Sequence, residues 1–162
     1  MNARVIEPRA GMVLTAFTAL FFTILPLPPW ADVLRPPFLL LAVLYWSIAA
    51  PRAGGILLGF LAGLALDVFN GAVLGQHALA FCVVTYITVR EHQKIRAKPV
   101  FQQSLIVFGA LLLYEFIVFA IDGWTSTSNA APSGGLRWVH TVTGAMVWPV
   151  ANALLGRSHS PR

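Results

Sequence analysis

The sequence predicts an all-α membrane protein: a polytopic bundle of six transmembrane helices with both termini in the cytoplasm. The first observation behind this prediction is composition, since 57% of the 162 residues are hydrophobic, 10% are charged and the mean hydropathy is +0.74. The 11 basic and 6 acidic side chains could not cover so much apolar surface in water. The other two observations are six long apolar runs and an unequal distribution of basic residues. Intrinsic disorder is excluded by the hydrophobicity, and a disulfide scaffold by the single cysteine, Cys82.

The apolar runs divide the chain into six predicted spans, because a helix needs roughly 20 mostly apolar residues to cross about 30 Å of hydrocarbon. The first span ends at a proline cluster. It is interpreted as an uncleaved helix and not as a signal peptide, since the run is long, no small-x-small cleavage pattern follows and five further spans come after it. The spans form a single transmembrane domain, residues 1–162, and cover about residues 10–27, 37–50, 53–69, 72–89, 100–121 and 136–155.

Proline and glycine mark the boundaries inside this domain. Pro51 ends the short second span, and together with Gly54 and Gly55 it leaves almost no loop before the third. These two spans are therefore predicted to form either a tight hairpin or a re-entrant pair. The Asn70–Gly71 pair predicts a tight turn between the third and fourth spans, since glycine accepts a positive φ. Trp148–Pro149 predicts a kink in the sixth span.

Basic residues predict the orientation of the bundle. With six spans, nine Lys and Arg residues fall on cytoplasmic segments and two fall outside, as the positive-inside rule requires. A five-span alternative breaks this asymmetry. The same distribution accounts for the net charge of +5 without nucleic-acid binding. Trp30, Trp124 and Trp138 fall at the predicted outer interface. The inside set is Arg4, Arg9, Arg52, Arg90, Lys94, Arg96, Lys98, Arg157 and Arg162; the outside pair is Arg35 and Arg137.

Polar residues within the spans are the candidates for function, since a charged group in hydrocarbon costs about 2.5–3.5 kcal/mol on insertion scales. The two intramembrane carboxylates are Asp67 and Glu115. We expect an ion pair between Asp67 and Arg35 that allows both groups to be buried. The polar residues of the outer half could together form one pocket open to the outside; they are Arg35, Asp67, Gln76, His77, Glu115 and His140.

Glycine recurs every fourth residue around Asp67, at positions 55, 59, 63, 71 and 75. Within the third span this spacing places Gly55, Gly59 and Gly63 on one flat face that another helix can approach closely. Because four-residue steps drift only about 40° per turn, Asp67 points towards nearly the same face. Packing within the chain is the favoured use of this face, ahead of self-association.

An enzyme is not expected. The sequence contains no Walker loop, HExxH, GxSxG or CxxC motif, and no spacing typical of metal ligands. No cofactor or metal is therefore predicted. The longest outer segment, residues 122–135, consists of small, polar, turn-forming residues. The basic inner segment, residues 91–99, is either a topology determinant that touches anionic lipid or a docking site for a cytoplasmic partner.

Two segments resemble a known family. Residues 35–46 (RPPFLLLAVLYW) resemble the Arg-Pro…Leu-Tyr-Trp segment of the bacterial rod shape-determining protein MreD family, and residues 63–75 (GLALDVFNGAVLG) resemble its G-x-x-x-D-x-x-x-G-x-x-L-G signature. Glu115 and the Trp148–Pro149 pair are also similar to proteobacterial members. The likeness covers nearly the whole chain, and the long outer loop at residues 125–135 departs from it.

The resemblance implies a non-enzymatic inner-membrane subunit of the cell-elongation machinery. Such proteins bind MreC and act with MreB, RodA and its partner transpeptidase to maintain rod shape and place lateral peptidoglycan. We expect Asp67 and Arg35 to shape a groove, bordered by the glycine face, that receives the MreC transmembrane helix. The segment from Arg90 to Lys98 would contact MreB or acidic lipid. The structural and partner-interface residues are Arg35, Pro36, Tyr45, Trp46, Gly59, Gly63, Asp67, Gly71, Gly75, Glu115, Trp148 and Pro149.

Two other functions compete with this interpretation. The family is also thought to resemble the six-helix substrate-binding subunits of vitamin transporters, which implies a small-molecule ligand in the outer polar pocket. A self-associating channel would need a polar stripe through the inner half of the bundle, and the sequence predicts an apolar inner half.

Overall fold

The computed structural model describes residues 8–125 and 138–159, and these residues form helices and no strands. Each long helix overlaps one predicted span, and a one-turn helix, α2, lies in the proline-rich connection after the first. The helices are α1 (Pro8–Ile24), α2 (Pro29–Asp32), α3 (Phe38–Ala49), α4 (Ile56–Asn70), α5 (Gln76–Arg96), α6 (Val100–Thr125) and α7 (Val139–His159). The first two residues of the predicted span at 136–155 lie outside the described residues. Most of the predicted outer loop also lies outside them.

Helix α5 extends seven residues beyond the predicted end of its span, into the basic segment. The residues added are Glu, His, Gln, Lys, Ile and Arg, most of which are good helix formers. Pro99 follows two residues after the Ala97 cap and prevents the helix from continuing. The segment predicted as a topology determinant is therefore mostly the last two turns of a helix.

Helix α3 is the centre of the bundle. Every residue from Leu39 to Ile48 is buried, and α3 contacts α1, α4, α5 and α7. Around it, neighbouring contacts join α1 to α4, α4 to α5, α5 to α6 and α6 to α7. Because α3 is covered on every side, its sequence is apolar throughout instead of amphipathic.

The connection from α3 to α4 is a tight turn, and the choice between a hairpin and a re-entrant pair stays a prediction. The Ser47 hydroxyl lies within hydrogen-bonding distance of the carbonyl oxygens of Val43 (2.7 Å) and Gly54 (2.8 Å), between which its one hydrogen is shared. A Cβ on Gly54 would lie 2.6 Å from the Trp46 Cβ, so the returning chain fits against α3 only as glycine. Beyond the turn, α4 packs chiefly along α5 and much less along α3.

The end of α3 lies beside the end of α5, since Tyr45, Ile48 and Arg96 line one cavity. The described basic side chains Arg52, Arg90, Lys94, Arg96 and Lys98 belong to the segments at one end, here named the basic end. The predicted interface residue Trp124 is 90% exposed at the opposite end of α6; the side chain of Trp30 is outside the described set. This arrangement agrees with the predicted orientation, while the number of crossings and the sides of the termini stay predictions.

The outside of the bundle is apolar. Leu14, Phe17, Leu57, Phe101 and Met146 are each more than half exposed, which is the pattern expected of side chains that face lipid. Within the described residues, α6 is the helix that is long and apolar enough to span a membrane by itself. The apolar helices Ala10–Ile24, Phe38–Ala49 and Ile56–Asn70 are shorter.

Candidate functional site

Asp67, in the last turn of α4, caps the beginning of α5. Its side chain is fully buried, and its carboxylate accepts hydrogen bonds from the backbone N–H groups of Gly75 (2.9 Å), His77 (2.8 Å) and Ala78 (3.3 Å). The first N–H groups of a helix have no partners within the helix, and its dipole favours negative charge there. We name this arrangement, the Asp67 carboxylate with these three N–H groups, the Asp67 cap.

The backbone of Asp67 also ends α4. Its carbonyl oxygen accepts from the N–H groups of Gly71 and Ala72. Gly71 and Gly75 have φ values of +62° and +97°, a left-handed conformation that side chains rarely adopt. The predicted Asn70–Gly71 turn is therefore confirmed. Asp67, Gly71 and Gly75 therefore act as one unit that ends α4 and begins α5.

His77 and Gln76 tie the Asp67 cap to α6. The His77 Nδ1 lies 2.7 Å from Asp67 Oδ1, and the His77 ring centroid lies 6.1 Å from that of Tyr114. An ionised carboxylate can only accept, so Nδ1 carries the proton in that state of the pair. Gln76, which is 5% exposed, donates its amide N–H to Asp122 Oδ1 at 2.5 Å. Helices α4, α5 and α6 are thereby joined at this end.

Arg35 performs the converse function at the end of α1. Its guanidinium donates to the carbonyl oxygens of Thr23 and Leu25, and it lies 3.4 Å from the exposed Asp32 carboxylate. A cation at a helix C-terminus complements the free carbonyls and the helix dipole. The Arg35 carbonyl oxygen lies 2.7 Å from His140 Nδ1, which connects this region to α7. We name the guanidinium with its two carbonyl partners the Arg35 cap.

The expected ion pair between Arg35 and Asp67 is wrong. Each charge is matched by the free backbone groups and dipole of a different helix end, so neither needs the other as a counter-ion. The prediction of a single outer polar pocket is wrong for the same reason, since its residues form two separate clusters. Gln76 and His77 belong with Asp67, whereas His140 belongs with Arg35.

The glycine face of α4 is covered by α5. A Cβ on Gly63 would lie 2.5 Å from the Ala78 Cα, and one on Gly59 would lie 2.6 Å from the Thr85 Oγ1. Packing within the chain, the favoured interpretation, is therefore confirmed at these two positions. The expected groove for a partner helix along this face is wrong, because α5 already fills it.

The remaining predicted residues lie in the core or at its edge. Trp46 is 1% exposed, donates its indole N–H to the Thr15 Oγ1 at 2.7 Å and packs edge-on against Tyr45. Pro36 precedes α3, and its carbonyl accepts from the Phe38 N–H. Glu115 and Trp148 are buried within α6 and α7, and Pro149 lies inside α7.

Sequence reasoning missed Thr15 and Asp122 as partners of Trp46 and Gln76. These pairs are 31 and 46 residues apart, so no local spacing connects them. The one available signal is that each is a polar residue within or beside an apolar span.

Within residues 8–125 and 138–159, no group of three or more His, Cys, Asp or Glu side chains is arranged to hold a metal ion. The comparisons with known proteins agree with one another. The family model described as rod shape-determining protein MreD matches residues 7–157. The rod shape-determining protein MreD of Haemophilus influenzae is 34% identical over 141 residues, which cover 78% of this chain and 86% of that protein. No solved structure matches.

Proposed function

The chain belongs to the MreD family of rod shape-determining proteins, and from this membership we propose that it binds MreC in the bacterial inner membrane. There it acts as a non-enzymatic subunit of the cell-elongation complex, alongside MreB, RodA and the partner transpeptidase. The observation that carries the proposal is the family match, which extends over residues 7–157 and so includes all the described helices except the last two residues of α7. A role in determining rod shape follows from the family itself.

The chemistry of the caps supports a scaffold. The Asp67 carboxylate already accepts hydrogen bonds from three backbone N–H groups, and the His77 ring lies against it. The Arg35 guanidinium is engaged with the end of α1. Groups used in this way position helices and are not available to a small-molecule ligand, so this geometry favours the scaffold over a transporter subunit.

We place the MreC contact on the outer face of α4. This helix is fixed at its start by the Ser47–Gly54 turn, along its inner face by the close approach to α5, and at its end by the Asp67 cap. A rigid helix loses little conformational entropy when a second helix packs on it. Leu57 and Leu61, one helical turn apart, are 71% and 54% exposed on this face.

Co-purification with MreC tests the proposal. The tagged full chain is co-expressed with MreC of the same organism, and MreC is quantified after capture from solubilised membranes. We expect Leu57→Ala combined with Leu61→Ala to lower MreC recovery several-fold while the chain keeps its thermal stability. The matched control is Leu105→Ala, on α6, where the side chain is 67% exposed. Failure of the wild-type chain to retain MreC above the level of an unrelated single-span protein would overturn the proposal.

The Asp67 cap has a second, indirect effect on the same assay. Asp67→Ala should lower MreC recovery because α4 and α5 lose their relative orientation, and Ser104→Ala, on α6, should not. Equal MreC recovery with these two variants would show that the Asp67 cap does not contribute to binding. The role of the α4 surface is tested separately by the variants of Leu57 and Leu61.

A further inference from the structure

A polar cavity lies at the basic end of the bundle, where α3, α5, α6 and α7 meet. It has a volume of about 260 Å³, and its polar lining consists of Tyr45, Arg96, Gln103, Trp148 and Asn152. The sequence predicted an apolar inner half, and at this place that prediction is wrong. The polar residues come from four different helices, so no single span shows them as a group.

One residue of the cavity lining carries a buried hydrogen-bond donor without a partner. Trp148 is 1% exposed, and its indole Nε1 has no acceptor among the described residues. Buried polar groups are normally paired, and an orphaned donor costs free energy unless a ligand or water satisfies it. Tyr45, also buried, lines the same cavity, and no described residue accepts from its hydroxyl. The Tyr45 hydroxyl is therefore available to a ligand at the cavity wall, whereas the Trp148 N–H is enclosed by protein.

The charge of the lining favours an anion. Arg96 is exposed at the cavity wall, and among residues 8–125 and 138–159 no carboxylate lines the cavity. The nearest acidic residue along α5, Glu91, pairs instead with Lys94 at 2.6 Å, and that hydrogen bond holds the pKa of the Glu91 carboxyl below its usual value. Gln103 is already fixed by donating its amide N–H to the Lys98 carbonyl at 3.0 Å. A guanidinium and a phenol together suit the oxygens of a phosphate group.

We propose that this cavity binds the phosphate headgroup of an anionic phospholipid. The cavity lies between helices at the end that the charge distribution predicts to be cytoplasmic, and basic pockets in that position are typical sites for anionic headgroups. A volume of about 260 Å³ is below the range of about 300–1,000 Å³ usual for drug-sized ligands, and it fits a headgroup. The acyl chains would lie on the apolar outer surface of the bundle. The proposal is independent of MreC binding.

Native mass spectrometry of the delipidated full chain tests the site. Phosphatidylglycerol, phosphatidylcholine, inorganic phosphate and glycerol 3-phosphate are offered separately and in competition. We expect retention of phosphatidylglycerol in preference to phosphatidylcholine, and competition by the two soluble phosphates only at far higher concentration. Equal retention of the two lipids would overturn the preference for an anion. Displacement by free phosphate at lipid-like concentration would overturn the lipid as the source of that anion.

Two conservative variants assign the binding to this cavity. Arg96→Gln should weaken phosphatidylglycerol binding about tenfold or more, the usual effect of removing a charge-assisted hydrogen bond. Tyr45→Phe keeps the aromatic ring and removes only the hydroxyl group, so it should weaken binding without lowering the thermal stability of the lipid-free chain. The controls are Arg52→Gln, at the same end but outside the cavity, and Tyr86→Phe, which changes an exposed tyrosine of α5 outside the cavity. Unchanged affinity in both cavity variants would refute the site.

Discussion

The Asp67 cap and the Arg35 cap are the same physical solution applied to opposite charges. Asp67 satisfies the N–H groups at the start of α5, and Arg35 satisfies the carbonyl groups at the end of α1. They differ in burial and in partners. The Asp67 side chain is 0% exposed, whereas the Arg35 side chain is 14% exposed with the carboxylate of Asp32 nearby. A helix end can therefore replace a counter-ion within an apolar bundle, and the replacement is most complete at Asp67.

Removing the Asp67 carboxylate should have the largest effect. Asp67→Ala leaves three N–H groups, at least partly buried, without their acceptor, and we expect it to lower the free energy of unfolding by about 3–5 kcal/mol. Asp67→Asn keeps one oxygen acceptor and should cost less. Unfolding of the purified chain in mixed micelles measures both. A loss below about 1 kcal/mol in the alanine variant would show that the N–H groups find other partners.

The glycine contact beside the cap comes next. Gly63→Ala places a methyl group 2.5 Å from the backbone of Ala78, which cannot rotate away, so we expect a loss of about 2–3 kcal/mol. Gly59→Ala meets the Thr85 side chain, which can change its rotamer, and should cost less.

Gly109→Ala is the matched control for both glycine variants. It lies in the helix interior of α6 with open space around it, and alanine should stabilise it by up to about 1 kcal/mol. Equal effects at residues 63 and 109 would mean that α4 and α5 are farther apart than described.

Arg35→Gln should have a smaller effect than Asp67→Ala. Water can reach part of the Arg35 cap, so it can donate hydrogen bonds to the carbonyls of Thr23 and Leu25 when the guanidinium is removed. We expect a loss of about 1–2 kcal/mol in the free energy of unfolding. Asp32→Asn, which changes an exposed carboxylate beside the same guanidinium, should cost less than about 0.5 kcal/mol. A larger loss of unfolding free energy for Arg35→Gln than for Asp67→Ala in the same assay would contradict the more complete burial of the Asp67 cap.

The sequence was sufficient for the helices and insufficient for the caps, and the reason is physical. Each long helix overlaps an apolar run, although α5 continues into the basic segment, and the turn at Gly71 is predicted by a residue that accepts positive φ. The partners of Asp67 are backbone N–H groups, which every residue except proline carries, so no residue type identifies them. An ion pair between Asp67 and Arg35 was the simplest prediction, because a sequence distinguishes residues by their side chains and not by their backbone groups.

The smallest expected effect is the coupling energy between Asp67 and Arg35. It distinguishes most directly between two separate helix caps and an ion pair. If Asp67 and Arg35 cap different helices, the losses from Asp67→Asn and Arg35→Gln should add, with a coupling energy within about 0.5 kcal/mol of zero. With an ion pair, the double variant would instead lose clearly less free energy of unfolding than the two single variants lose together. The reason is that either single change already removes the same interaction. A double-mutant cycle in one detergent and at one salt concentration measures this coupling. Coupling well above 1 kcal/mol would contradict the separate caps, and additivity would establish each helix end as the sufficient partner of its buried charge.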